Sequence, residues 1–335
     1  MRASFAPKIA LESVRSAQTP LPIFDKRSPP SGYLSAGTFV AQSDTPPKRH
    51  HFIPQMMLRH FADDDGRLWF WRRDFAEGDV HKTTTQNLFV EKDLYTLIQN
   101  DGTKDVALET FFSSLEGAGA TFINQLAAIV RAGELPKLDD GAWRFWGQFF
   151  YYHLKRTPAA IAFFANEMNL DARIQATFEN VRTIRAETGG DPDEVGLKER
   201  IRQNAIVTAQ RAPPSPEVLA AFEKMGLAIY RISDTSKSFI VSDAPGATAK
   251  FRMADGQWSH PTLFLPLTWD IAVGQLRNAK KAEIVLVDRD QVRRMNQATT
   301  ARSSVIAGRS DALISSLSRS VIYRGVEALE NPTAA

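Results

Sequence analysis

Four polar residues stand where chemistry would want them: His51, Glu116, Arg156 and Asp243. His51 precedes a short apolar run, and an imidazole titrates near neutrality, so it can act as general base or metal ligand. Capping the following helix is its plainer role. Glu116 follows Glu109 by seven residues, which puts both on nearly one helix face but about 10 Å apart along the axis. That gap is too wide for one ion and exceeds the usual glycosidase carboxylate separation. Each glutamate therefore works with another element or flanks an amphipathic helix. Arg156 ends a helix crowded with Trp143, Phe145, Trp146, Phe149, Phe150, Tyr151 and Tyr152. A guanidinium emerging beside so much apolar surface calls for a carboxylate partner. Asp243, at the end of the run Phe239 to Asp243, is the natural one, or Glu116 if the helices pack differently, although an Asx turn before Pro245 would also place Asp243 there.

Converging in one cleft, these four residues would serve a hydrolase that engages a phosphate-containing or nucleic-acid substrate. The competing reading is a non-catalytic binding or regulatory module in which an Arg156–Asp243 pair only locks the helical half onto the sheet. No GxxxxGK[ST], GxGxxG, GxSxG or HExxH occurs, so the usual nucleotide-fold and hydrolase motifs are missing. The chain has no cysteine, which rules out disulfides, zinc–thiolate sites and thiol nucleophiles. Cofactor and metal stay unknown. A His-His-x-x-Pro run followed by Asn87 is also how a His-Asn-His metal nuclease begins. That fold needs a histidine on the following helix, and none lies between 82 and 152.

The elements that must position these residues can be read in outline. Residues 1–48 hold seven of the eighteen prolines and no lasting period, the pattern of a disordered arm. A short helix is expected over 53–61, with Pro54 in its first turn. Strands follow at 66–74 and 93–98. Leu108, Phe112, Leu115, Phe122, Leu126 and Ile129 mark a helix over 106–131, and the aromatic run marks another over 139–155. Further helices are expected at 159–187, 192–211 and 216–225. From 226 the period becomes two, giving strands LAIYRIS, FIVSD, TLFLPL, DIAVGQL and AEIVLVD. Helices at 289–301 and 310–318 and a strand at 320–324 close the chain. The fold class is α+β: an N-terminal helix with small strands, a four- to five-helix central bundle, then a mainly antiparallel C-terminal sheet with two closing helices. The expected organisation is one domain over 49–325, with disordered ends at 1–48 and 326–335.

The segment His50-His51-Phe52-Ile53-Pro54-Gln55-Met56-Met57-Leu58-Arg59-His60-Phe61 resembles the HxxPxxxLxxF opening of bacterial domain-of-unknown-function family 4238. The later landmarks of that family are matched in order. They are Asn87-Leu88-Phe89 with Tyr95, Glu109 with Glu116, Arg156-Thr157-Pro158, Ser242-Asp243-Ala244-Pro245 and Pro266-Leu267. The resemblance covers roughly residues 50–310 and implies no activity.

The pI of about 9.0 suggests a nucleic-acid partner, but the charge is local. Residues 1–49 hold seven Lys/Arg and three acids, a net of +4, whereas the whole chain is +3, so residues 50–335 carry −1. A nucleic-acid partner is not indicated for the near-neutral folded part, and partners are otherwise unknown. No apolar run reaches the roughly 18 residues of a membrane span, and the start lacks the apolar core of a secretory signal. A cytoplasmic location is expected.

Overall fold

Apolar periodicity becomes helices and strands much as expected where it is strong, and departs from expectation where a left-handed residue or a distant partner intervenes. The computed structural model describes residues 49–330 apart from 77, 100, 192–194, 251–255, 258–261 and 277–279. The expected arm at 1–48 lies outside the described residues. The chain divides into two compact units, each assembled from discontinuous stretches.

The first unit comprises residues 49–50, 91–118 and 158–219 of the described chain. It includes strands β5 (Leu97–Ile98) and β6 (Lys104–Asp105), the first turns of helix α2 (Ala107–Arg131), then α4 (Pro158–Glu167), α5 (Leu170–Thr188) and α6 (Leu197–Arg211). The expected helix over 159–187 is broken in two, because Asn169 takes a left-handed φ of 48° between α4 and α5. Asn tolerates that conformation better than most residues. The expected strand over 93–98 is also interrupted: Asp93 has φ 53°, and only Leu97–Ile98 pair, with β6. That short strand is held from α6, where Asn204 accepts from Ile98 N–H at 2.8 Å and donates to Ile98 C=O at 2.7 Å. Gln203 donates to Asp93 C=O and Thr96 C=O. One side-chain amide thus supplies both bonds that a neighbouring strand would have supplied.

The second unit comprises residues 51–90, 119–157 and 220 onward. Its five-stranded sheet runs in the order β12 (Ala282–Val287), β7 (Gly226–Ile232), β11 (Ile271–Leu276), β10 (Thr262–Pro266), β9 (Ala247–Ala249). β12 lies parallel to β7 and the other pairs are antiparallel. A second, wholly antiparallel sheet runs β3 (His81–Thr84), β2 (Arg67–Arg72), β13 (Val305–Gly308), β8 (Val241–Ser242). β13 thus joins the beginning of the chain to its end. Only part of the expected FIVSD strand forms. Phe239 N–H goes to Trp269 C=O, and the Asn296 amide, from helix α8 (Arg289–Arg302), takes Ile240 N–H and Ser238 C=O. The expected strand at 320–324 is instead part of helix α9 (Asp311–Glu330), which packs Ile314 and Leu317 into the cluster around Trp71, Ile240 and Ile306. No proline interrupts the helix there. The first helix is shorter than expected: α1 (Gln55–Leu58), with Pro54 as its N-cap, passes into a 3-10 turn at Arg59–Phe61.

Helix α3 (Asp140–Lys155) begins on Asp139, whose carboxylate accepts from Ala142 N–H at 2.8 Å, satisfying one of the free donors of the first turn. Its aromatics are core. Trp146 is 8% exposed and stacks on Phe122 at 5.9 Å, within reach of Phe149 and Phe150. Residues 119–131 of α2 can lie against α3 because position 119 is glycine: a Cβ there would stand 2.6 Å from the Phe149 ring.

Gly274 fills a less yielding place in the middle of β11. A Cβ would lie 2.8 Å from Leu263 C=O and 2.9 Å from the Tyr230 ring, and a paired strand backbone cannot step aside. Gly274→Ala is expected to cost about 1–3 kcal/mol by overpacking. Urea unfolding of the full chain would measure it, and an unchanged midpoint would refute the expected clash.

Candidate functional site

The residues singled out from the sequence are placed by quite different partners. His51 ends β1 (Arg49–His51). Its Nε2 lies 3.1 Å from Thr85 C=O, and since a carbonyl can only accept, that nitrogen carries the proton. Gln55 reaches the Thr85 hydroxyl at 3.3 Å. Arg156 is the C-cap of α3, 2% exposed, and its Nη2 donates to the carbonyl of His51. His51 and Arg156 are therefore brought together, through the backbone of one and the side chain of the other. Glu116 lies on α2 at a partly buried position in the first unit.

Asp243 is placed elsewhere. Its carboxylate accepts from Ser304 N–H at 3.0 Å and Val305 N–H at 3.1 Å, while its own N–H goes to Val305 C=O. Burial pushes its pKa up, against the pull of those amides and of Arg73. The expected Arg156–Asp243 ion pair does not form. The start of β13 presents two amides in line with the carboxylate, and those replace the cation.

The structure shows several groups that spacing did not single out. Arg131, at the end of α2, holds Asp270 in a two-pronged fork (2.8 and 2.6 Å), and Thr268 donates to the same carboxylate at 2.7 Å. Burial works to raise the Asp270 pKa, but the fork and the hydroxyl overcome it, and the carboxyl sits below its ordinary value. Burial, with Arg131 adding to it, lowers the pKa of nearby His60. Arg73 caps the C-terminus of α8, donating to Thr300 C=O and twice to Ser303 C=O, where a cation suits the carbonyl ends of a helix. In the first unit His50 is fully buried, stacked on Tyr95 at 5.3 Å, and its Nδ1 accepts from Tyr95 N–H at 2.9 Å. Glu109 lies 3.9 Å from that same nitrogen, which is already occupied as an acceptor.

The last turns of α3 gather the strongest perturbations. His153 is 2% exposed, lies flat on Phe149 at 5.7 Å, and neither ring nitrogen has a hydrogen-bond partner among the described residues. Burial, with Arg156 adding to it, pulls its pKa down to about 3. Lys155 donates from Nζ to the Tyr151 hydroxyl at 3.1 Å and lies 5.1 Å from that ring's centroid. Burial draws its pKa down to about 7. Tyr152, edge-on to Tyr151 at 5.2 Å, has its phenol pushed up by burial and by that neighbour. A helical pattern could have flagged the i,i+4 pair Tyr151 and Lys155, but not their desolvation.

Among the described residues no group of three or more His, Cys, Asp or Glu is placed to hold a metal ion, and no described helix is long and apolar enough to cross a membrane. A family model described as "Protein of unknown function (DUF4238)" matches residues 49–311 and so spans parts of both units. No curated protein and no solved structure matches the chain.

Proposed function

The chain belongs to the DUF4238 family, whose description carries no activity, and from that premise we propose that the protein is a non-catalytic binding module in which His51, Arg156 and Asp243 clamp the backbone. The observation that carries this reading is where their hydrogen bonds go. His51 is bonded to Thr85 C=O, Arg156 to His51 C=O, and Asp243 to the amides of Ser304 and Val305. A group spent on main-chain partners holds loops and strands in place; to act on a substrate it would first have to break those bonds. A second observation favours binding. Helix α4 carries Ile161, Phe163 and Phe164 yet buries none of its residues, and Phe163 is 37% exposed. Uncovered apolar surface of that kind is what partners cover.

The hydrolase reading of the same residues makes the opposite prediction, so one experiment separates the two. Asp243→Ala removes the acceptor for two amides, and leaving them unsatisfied is expected to cost about 1–3 kcal/mol. Thermal melts of the full chain should show the loss with no ligand present. A variant that melts like the wild type but loses wild-type turnover of a phosphate ester such as p-nitrophenyl phosphate would sink the clamp reading and support the hydrolase.

A further inference from the structure

We propose that Lys155 is a reactive amine that condenses with the carbonyl of an aldehyde or ketone, with the Tyr151 hydroxyl as its proton relay. This goes beyond the binding reading, which does not involve either residue. The geometry is a cluster built on one helical turn. The Lys155 Nζ is fixed 3.1 Å from the Tyr151 hydroxyl and 5.1 Å from its ring centroid. The Tyr152 ring braces Tyr151 edge-on at 5.2 Å. Tyr151 is 6% exposed and so fixed in place, while Lys155 is partly exposed and can be reached from outside.

Burial draws Lys155 down to about 7, so about half its amines carry a free lone pair at neutral pH, against well under about 1% for an ordinary lysine. Desolvation is a known way to activate a lysine toward carbonyls. In the proposed step the Nζ lone pair forms a bond to the carbonyl carbon, and the π pair moves onto oxygen. The Tyr151 hydroxyl gives that oxygen a proton and recovers one from nitrogen. The resulting carbinolamine then expels its hydroxyl with the second nitrogen proton as water, leaving an imine. Both amine hydrogens end in the water, and no oxidant or reductant is required.

The probe is benzaldehyde with the full chain at pH 7, trapped by borohydride and mapped by mass spectrometry of peptides. The internal standards are the exposed Lys280 and Lys281. Lys155 should be trapped at least about tenfold faster than either, given its larger neutral fraction. Tyr151→Phe, which keeps the ring, should slow that trapping severalfold without shifting the thermal midpoint. Trapping of Lys155 no faster than of Lys280 and Lys281 would overturn the proposal. An unchanged rate in Tyr151→Phe would overturn the relay.

Discussion

Trp146→Ala should lower the unfolding free energy by about 3–5 kcal/mol, the usual range for truncating a large buried aromatic. Trp146 is 8% exposed, stacked on Phe122 at 5.9 Å with an 18° tilt and flanked by Phe149 and Phe150. Collapse around the missing ring is hindered on the α2 side, where Gly119 already admits Phe149 at the closest approach a backbone allows. Trp146→Phe keeps a ring in the stack and should cost less than half as much. Urea unfolding followed by far-ultraviolet circular dichroism, a signal that does not rely on the tryptophan, would measure both. A loss under about 1 kcal/mol for Trp146→Ala would mean that the site repacks freely, and α3 would not be the tightly packed helix described above.

The elements legible in the sequence are those whose burial is set by their own residues. α2, α3, β7, β10, β11 and β12 each carry enough apolar residues at one period to fix type and approximate bounds. The elements that were missed depend on distant or unusual partners. β13 has four residues, and its pairing with β2 joins Ile306 to Trp71, far apart in sequence. The break between α4 and α5 turns on one left-handed Asn with no Pro or Gly beside it. Residues 239 and 240 look like a strand, but their partners are an Asn side chain and a loop carbonyl.

The candidate site divides along the same line. That Arg156 would emerge beside apolar surface at the end of the aromatic helix followed from the sequence; that it is itself buried did not. Its link to His51 runs through a backbone carbonyl, and side-chain types carry no trace of that. Charge alone pairs Asp243 with Arg156, whereas two amides in line at 3.0 and 3.1 Å satisfy a carboxylate without a cation. His153 and Lys155 went unremarked because desolvation, which sets their chemistry, depends on what packs over α3 and not on the residues around them in the chain.

Acid should destabilise the protein through His153, and His153→Phe should remove that part of the acid response. In the fold the ring is buried against Phe149 with both nitrogens unpartnered among the described residues, and its pKa falls from 6.5 to about 3. The unfolded chain binds a proton on this residue below about pH 6.5, while the folded chain does not do so until about pH 3. Between those values the unfolded state holds more protons, so stability falls as pH falls and the full effect is reached near pH 3. Above pH 6.5 both states are neutral and His153 contributes nothing to the slope. Each pH unit inside the window is worth about 1.4 kcal/mol, or roughly 2 kcal/mol lost between pH 6.5 and 5. Asp270, held low by Arg131, loses stability at lower pH still, below its ordinary value of 3.8. His60, also lowered by burial, and Lys155, drawn down to about 7, respond inside the window in wild type and variant alike, so the difference between the two proteins isolates His153. Urea unfolding at those two values should show the wild type losing about 2 kcal/mol more than His153→Phe, whatever the variant's stability at pH 7. Equal losses in the two proteins would mean that His153 takes up its proton in the folded state, which requires a polar partner or water at the ring and an opening into the core beside Phe149.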